Sequence, residues 1–283
     1  MPRLIHLSDL HFGAHDPVLV TAVEKRLDEE SPDLVVISGD FTQRARREQF
    51  EEAGEFLMRI RDAGHEVLAV PGNHDVPLYD VLRRFLSPLT RYKRFIDDTL
   101  CPFIAIPGAA VLGINTARSL TIKDGHISHE QMAHIRETFA KTNPNQPRIL
   151  VTHHPLFALP VGEGPELGHL MEDQQLALEA IADAGVDLLL AGHNHRALVN
   201  NASSLAAGAG KALVIQAGTA TSTRTRDELQ SFNRIEIDGS GITVTIQSWD
   251  GSGFVSGDSQ LFERRDEQWE FASGEKVADA PAA

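Results

Sequence analysis

Cysteine is almost absent from this chain, which has one cysteine among 283 residues. Cys101 alone excludes an internal disulfide and any zinc site built from several cysteines. Basic residues are also scarce, since 26 Lys and Arg stand against 40 Asp and Glu, giving a formal net charge of −14 at pH 7. Such a charge repels polyanions, which disfavours non-specific binding to nucleic acid or to a membrane surface.

Long apolar runs are missing too, and no segment approaches the length that spans a membrane. Because a strand-like segment begins at residue 3, we expect no signal peptide and predict a cytoplasmic protein. Hydrophobic residues make up 42% and charged residues 23% of the chain, a composition typical of a globular protein. We predict a single domain over residues 1–271 and a disordered tail over 272–283.

Short apolar runs alternate with amphipathic stretches through the first two-thirds of the chain. Strands are predicted at 4–7, 34–38, 67–70, 111–114, 149–152 and 188–191. Helices are predicted at 17–30, 47–63, 129–140 and 173–184. This alternation predicts an α/β protein with a largely parallel sheet covered by helices.

The pattern changes after Gly192, where helical spacing stops. Residues 196–271 are rich in β-type sequence, with strands predicted at 212–216, 232–237, 242–249 and 259–264. We expect them to form a second sheet packed on the first. Residues 76–102 indicate a helical insertion, and the Pro- and Gly-rich segment 155–168 indicates a mobile surface loop that gates a site.

Histidine is abundant by contrast, and many of the 13 histidines follow predicted strands. The ends of five such strands carry Asp9-Leu10-His11, Gly39-Asp40, Gly72-Asn73-His74-Asp75, His153-His154 and Gly192-His193-Asn194-His195. In an open α/β sheet the carboxyl ends of the strands share one edge, where ligands bind. Segments far apart in sequence should therefore bring Asp, His and Asn side chains to one small volume.

These residue types fit two divalent ions. Asp9, His11 and His195 are the candidate ligands of the first ion, because the i, i+2 spacing in Asp9-Leu10-His11 places both side chains on one strand face. The second ion would be held by Asn73, His153 and His193, with Asp40 bridging the two ions through its carboxylate. Ligation by nitrogen and oxygen without sulfur favours Mn, Fe, Zn or Co.

Two such ions, about 3.5–4 Å apart, lower the pKa of a shared water from 15.7 to about 7 and supply hydroxide at neutral pH. Their charge exceeds that of two carboxylates and one hydroxide by about one unit, which makes the site an anion-binding centre within an acidic protein. A small phosphate group could bind there despite the charge of the surface.

The five blocks resemble those of the calcineurin-like metallophosphoesterase superfamily, whose pattern is DxH, GD, GNH(D/E), H and GHxH in that order. Within the superfamily the run is most similar to bacterial class III cyclic-nucleotide phosphodiesterases. The resemblance implies a four-layer αββα sandwich, a dinuclear metal centre and hydrolysis of phosphoesters. It also implies that His74 protonates or stabilises the leaving group.

Several neighbouring residues are candidates for supporting roles. Asp75 would orient His74 through a hydrogen bond, although a turn-capping role fits equally well. Possible substrate contacts are His154, Asn115, Arg118 and His169, each with a competing reading as a structural or exposed residue.

The favoured function is hydrolysis of a small phosphodiester or nucleotide, with 3′,5′-cyclic nucleotides among the candidate substrates and no long nucleic acid as a partner. The alternatives are a UDP-diacylglucosamine-type pyrophosphohydrolase, a nuclease of the superfamily and a non-catalytic metal-binding scaffold. His at position 74 counts against the pyrophosphohydrolase, which usually carries Arg there. Family analogy alone suggests a homodimer.

Overall fold

The computed structural model describes residues 1–121, 124–156, 174–202, 210–223, 228–239, 241–265 and 268–274. The helices in these ranges are α1 (Pro17–Glu30), α2 (Arg47–Asp62), α3 (Val81–Leu86), α4 (Thr90–Phe95), α5 (His129–Ala140) and α6 (Gln174–Asp183). The strands are β1 (Arg3–Leu7), β2 (Leu34–Ile37), β3 (Val67–Ala69), β4 (Phe103–Ile106), β5 (Ala109–Gly113), β6 (Arg148–Val151), β7 (Leu188–Ala191), β8 (Leu198–Asn201), β9 (Leu213–Gln216), β10 (Ser231–Asp238), β11 (Gly241–Trp249), β12 (Phe254–Arg265) and β13 (Gln268–Ser273). A 3-10 turn covers Asn73–Asp75.

The strands form two mixed sheets. The first has the order β13-β12-β11-β10-β1-β2-β3, with β1, β2 and β3 parallel to one another. The second has the order β4-β5-β6-β7-β9-β8, with β5, β6, β7 and β9 parallel. The parallel strands therefore carry their following loops to common sheet edges, as the strand-end motifs require.

Three apolar clusters separate four layers. Leu4 and Val36 of the first sheet pack against Ile149 and Leu190 of the second between the sheets. The opposite faces of the two sheets are covered by α1 and α2 and by α5 and α6, respectively. Successive residues of one strand, such as Leu4 and Ile5, enter different clusters because side chains alternate across a strand. This αββα arrangement confirms the predicted fold class.

Local sequence explains where helices α1 and α5 begin. Pro17 opens α1, and the Asp16 side chain accepts a hydrogen bond from the backbone N–H of Val18 at 2.8 Å. Ser128 and Gln131 form a reciprocal capping box at the start of α5. Both helices have the predicted bounds. No helix in the described ranges is both long and apolar enough to cross a membrane.

The predicted division of strands between the sheets is wrong. Strands β10 to β13 do not form a separate sheet, because β10 pairs with β1 and extends the first sheet, whereas β9 joins the second sheet beside β7. Short-range patterns predict strands but not their partners, which lie far away in sequence.

Other segments can now be placed. Helices α3 and α4 lie in 76–102, and β13 includes Ala272 and Ser273, at the start of the segment predicted to be a disordered tail. The predicted loop 155–168 lies outside the described residues apart from Pro155 and Leu156, as does the tail beyond residue 274.

Candidate metal centre

The predicted ligands lie just after strands β1, β2, β3, β6 and β7, where the edges of the two sheets meet. Many of them have unusual backbone conformations. Seven non-glycine residues in the described ranges have positive φ, and five of these are Asp9, His11, Asp40, His193 and His195. Residues other than glycine rarely adopt this region, and such strain concentrates at functional sites.

One cluster joins the loops after β1 and β7. The Nε2 atom of His195 lies 3.2 Å from Oδ1 of Asp9 and 3.1 Å from Nε2 of His11. The other carboxylate oxygen of Asp9 accepts hydrogen bonds from the Ser8 hydroxyl at 2.7 Å and from the backbone N–H of His193 at 3.0 Å. These two bonds hold the carboxylate so that Oδ1 faces the two imidazoles.

A second cluster joins the loops after β3, β6 and β7. The Oδ1 atom of Asn73 lies 3.0 Å from Nε2 of His153 and 3.0 Å from Nδ1 of His193, and these two nitrogens are 3.3 Å apart. The Nδ1–H of His153 donates to the carbonyl of Ser38 at 2.7 Å. In the neutral imidazole this bond leaves the lone pair on Nε2, the atom available to a metal.

Asp40 lies between the two clusters. Its Oδ2 atom is 3.4 Å from Nε2 of His153 and 3.8 Å from Nε2 of His11, one histidine of each cluster. Its Oδ1 atom accepts the backbone N–H of His74 at 2.8 Å. A single oxygen of Asp40 therefore faces both clusters, whereas the sequence suggested only that the carboxylate could bridge.

The donor set fits bound cations. Asp9 is fully buried, and within the described ranges the nearest nitrogen to its Oδ1 atom, Nε2 of His195 at 3.2 Å, makes no hydrogen bond of regular geometry with it. Burial alone would raise the pKa of Asp9, but His195 and His11 hold that pKa well below its usual range. Burial opposes the charged form of His153, yet Asp40 raises its pKa to about 9. The buried carboxylates make the electrostatic potential of the site negative, which favours protonation of the adjacent imidazoles. A bound divalent cation would neutralise the same negative potential.

His74 lies at the edge of this centre and lines an open cavity of about 560 Å³. Its ring centroid is 4.9 Å from that of His11. The Nδ1–H of His74 donates to the backbone carbonyl of Gln43 at 2.8 Å, which leaves Nε2 as its reactive nitrogen.

Of the two roles suggested for Asp75, the contacts match the turn-capping role and not a hydrogen bond to the His74 ring. The buried carboxylate of Asp75 instead accepts backbone N–H groups of Gly72, Phe41 and Thr42 at 2.9, 3.2 and 2.9 Å. It therefore joins the loops after β2 and β3 and positions the centre without contacting the cavity. Burial and the charge of Asp40 raise the pKa of Asp75 to about 6.

The structure does not place the suggested substrate contacts in that cavity. His154 is only 2% exposed, its Nδ1 lies 2.8 Å from the Thr116 hydroxyl and its ring centroid lies 4.9 Å from that of His193; its contact with substrate stays a prediction. Asn115 accepts from the backbone N–H of Ala117, and Arg118 donates to Thr121. Neither is among the residues that line the cavity. His169 lies outside the described residues.

Sequence reasoning missed three supporting residues: Ser8, Ser38 and Gln43. Each stands within three residues of a predicted ligand, and two of them act through backbone carbonyls. A carbonyl leaves no signature in residue type. Of the three residues, only Ser8 acts through its side chain, so its hydroxyl, directly before Asp9, was the one feature of residue type that could have indicated a supporting role.

Comparison with known proteins agrees with this geometry. Calcineurin-like phosphoesterase is the family that matches, over residues 2–197. A probable cyclic nucleotide phosphodiesterase of Synechococcus is 26% identical over 179 residues, covering 63% of this chain and 64% of the relative. The UDP-2,3-diacylglucosamine pyrophosphatase LpxG of Chlamydia trachomatis is 27% identical over 189 residues, covering 54% of this chain and 57% of the relative. The chain thus spans less than two-thirds of the length of either relative.

Solved structures share the fold. A dimetal phosphatase from Danio rerio superposes with a TM-score of 0.63 at 13% identity, covering 90% of this chain and 98% of that one. A purple acid phosphatase from yellow lupin gives a TM-score of 0.68 at 14% identity, covering 90% of this chain and 52% of that one. With all five motif blocks gathered at one edge of the αββα sandwich, the chain belongs to the calcineurin-like phosphoesterase family.

Proposed function

We propose that this protein is a dinuclear metallophosphoesterase that hydrolyses small phosphodiesters. The observation that carries the proposal is the position of Asp40, whose Oδ2 atom lies within 3.8 Å of one histidine from each cluster. Asp9, His11 and His195 would hold one ion, and Asn73, His153 and His193 the other. The family match supports the same chemistry.

Two divalent ions held by these residues would supply Lewis acidity at the phosphoryl group and a source of hydroxide at neutral pH. The residues of the chain prepare this chemistry by fixed hydrogen bonds. Ser38 orients His153, and Ser8 orients Asp9. A protonated His74, held at Nδ1 by the Gln43 carbonyl, would deliver the proton on Nε2 to the departing alkoxide.

The proposal extends to the class of substrate. The name of the Synechococcus relative favours a cyclic nucleotide, whereas that of the Chlamydia relative favours a nucleotide-sugar pyrophosphate. Residue 74, a His in place of the Arg usual in the pyrophosphohydrolases, favours the diester. A net charge of −14 argues against a long nucleic acid. Cytoplasmic location and a homodimer stay predictions.

Turnover by metal-reconstituted protein tests the proposal. Protein stripped with EDTA and reloaded with Mn²⁺ should hydrolyse bis(p-nitrophenyl) phosphate, and the stripped protein should not. A panel of 3′,5′-cyclic and 2′,3′-cyclic nucleotides, glycerophosphodiesters and nucleotide sugars would then rank the substrates. Protein that binds no divalent metal and leaves every ester intact would be a non-catalytic scaffold.

A further inference from the structure

An arginine-rich pocket adjoins the metal centre. The cavity of about 560 Å³ that reaches Asn73 and His74 is also lined by Arg44, Arg46 and Tyr79. A neighbouring cavity of about 430 Å³ is also lined by Arg44, Arg46 and Tyr79. It extends further, to Arg83 and Arg91. We name the continuous region formed by Arg44, Arg46 and Tyr79, which line both cavities, and by Arg83 and Arg91, which line the second cavity, the arginine pocket.

The charge of this pocket is opposite to that of the protein. Among the described residues that line the two cavities, Asp80 is the only acid, and its carboxylate lies 3.7 Å from the guanidinium of Arg83. Neither Arg44 nor Arg46 has a carboxylate within 4.0 Å among the residues that the structure describes. Both are exposed, so their donors are available to a ligand. A cationic pocket in a chain of net charge −14 attracts anions locally while the rest of the surface repels them.

Contacts with neighbouring segments place these side chains beside the site. The guanidinium carbon of Arg44 lies 5.6 Å from the centroid of the Tyr79 ring, a cation–π distance. Arg91 donates to the carbonyl of Ala45 at 2.7 Å and so ties α4 to the loop that carries Arg44 and Arg46. The same loop contains Gln43, whose carbonyl holds His74. The pocket is thus built onto the segment that positions the proposed general acid.

We infer that the arginine pocket binds a second phosphate group of the substrate while the scissile phosphodiester lies at the metal centre. The inference rests on the proposed function and narrows it to diesters that carry another phosphate on one arm. Planar guanidinium groups match phosphate oxygens, and such charge-assisted hydrogen bonds are about twice as strong as neutral ones.

Two chromogenic substrates that differ by one phosphate test the inference. Thymidine 5′-(p-nitrophenyl phosphate) carries only the scissile diester, and its 3′-phosphorylated derivative carries a second anionic group with the same leaving group. We expect kcat/KM of the Mn²⁺-loaded protein to be about 10- to 100-fold higher for the 3′-phosphorylated substrate, as two charge-assisted hydrogen bonds permit at an exposed site. The preference should fall as salt is raised.

Substitutions identify the residues responsible. In R44Q/R46Q the ratio of the two kcat/KM values should fall towards one. R47Q is the matched control, because Arg47 is exposed, pairs with Glu51 at 2.8 Å and does not line either cavity. It should keep the wild-type ratio.

The outcomes separate this inference from the proposed function. Wild-type hydrolysis of both substrates at equal kcat/KM overturns the arginine pocket and leaves the phosphodiesterase proposal intact. Failure to hydrolyse either substrate, or bis(p-nitrophenyl) phosphate, overturns the proposed function itself. Because the wild-type ratio is measured without any variant, a folding defect in R44Q/R46Q does not affect this decision. A preference that survives in well-folded R44Q/R46Q also contradicts the inference.

Discussion

Gly72→Ala should disable the metal centre by steric contact alone. The backbone of Gly72 has φ −105°, which any residue can adopt, so the substitution adds no backbone strain. An added Cβ would lie 2.1 Å from Oδ1 and 2.3 Å from the backbone nitrogen of Asp40. Since ordinary non-bonded contacts are about 3.5 Å, the loop carrying Asp40 must move by about 1 Å.

Such a shift has two measurable consequences. Overpacking of this kind destabilises a protein by about 1–3 kcal/mol, which denaturant unfolding would record. A displacement of about 1 Å in a residue that faces both clusters should also lower kcat by about 10²-fold. Mn²⁺ titration by calorimetry should show weaker binding at both sites, because both would share the oxygen of Asp40.

Gly239→Ala provides the control, since no atom of the part of the chain that the structure describes lies within 4 Å of the Cβ it would add. This variant should match the wild type in stability, metal binding and turnover. Wild-type Mn²⁺ affinity and kcat in Gly72→Ala would refute the packing argument and the role assigned to Asp40.

Three other perturbations address separate parts of the site. Asp40→Asn should weaken binding of both ions together in a Mn²⁺ titration, and two tightly retained ions would contradict bridging. His74→Ala should keep both ions but lower turnover of diesters with poor leaving groups by about 10²–10⁴-fold, with a smaller loss for p-nitrophenyl esters; loss of metal would make His74 a ligand. Burial lowers the pKa of His6 from 6.5 to about 3, so unfolding takes up a proton between these values. The free energy of unfolding of metal-stripped wild-type protein should therefore decrease by about 1.4 kcal/mol per pH unit as pH falls below 6.5, relative to that of His6→Asn. Parallel pH profiles for the two proteins would show that protonation of His6 does not drive acid unfolding.

The sequence predicted local structure well where local signals are strong. Helix α1 carries its own start in Asp16 and Pro17, and α5 carries one in Ser128 and Gln131, so both were predicted to the residue. Strand pairing depends on contacts between distant segments, and the partnership of β10 with β1 has no local signal. Strands β4, β8 and β13 were missed, and all three lie at sheet edges, where burial is incomplete and the apolar pattern is weak.

The site was predictable for a different reason. Asp9, Asp40 and His153 follow buried strands, and parallel strands bring the residues after them to one edge whatever the order of the sheet. The error in dividing the strands between sheets therefore did not affect the cluster. The bond from His74 to Gln43 could not be predicted, because it uses a backbone carbonyl and depends on how two loops pack.

The number of metal ions bound per chain tests the central claim most directly. Stripped protein should be reloaded with Mn²⁺, freed of excess ion and analysed by inductively coupled plasma mass spectrometry while turnover of bis(p-nitrophenyl) phosphate is followed. The two clusters around Asp40 predict two ions per chain, with activity rising as they bind. Full activity with no bound metal, or with one ion at saturation, would contradict a dinuclear centre.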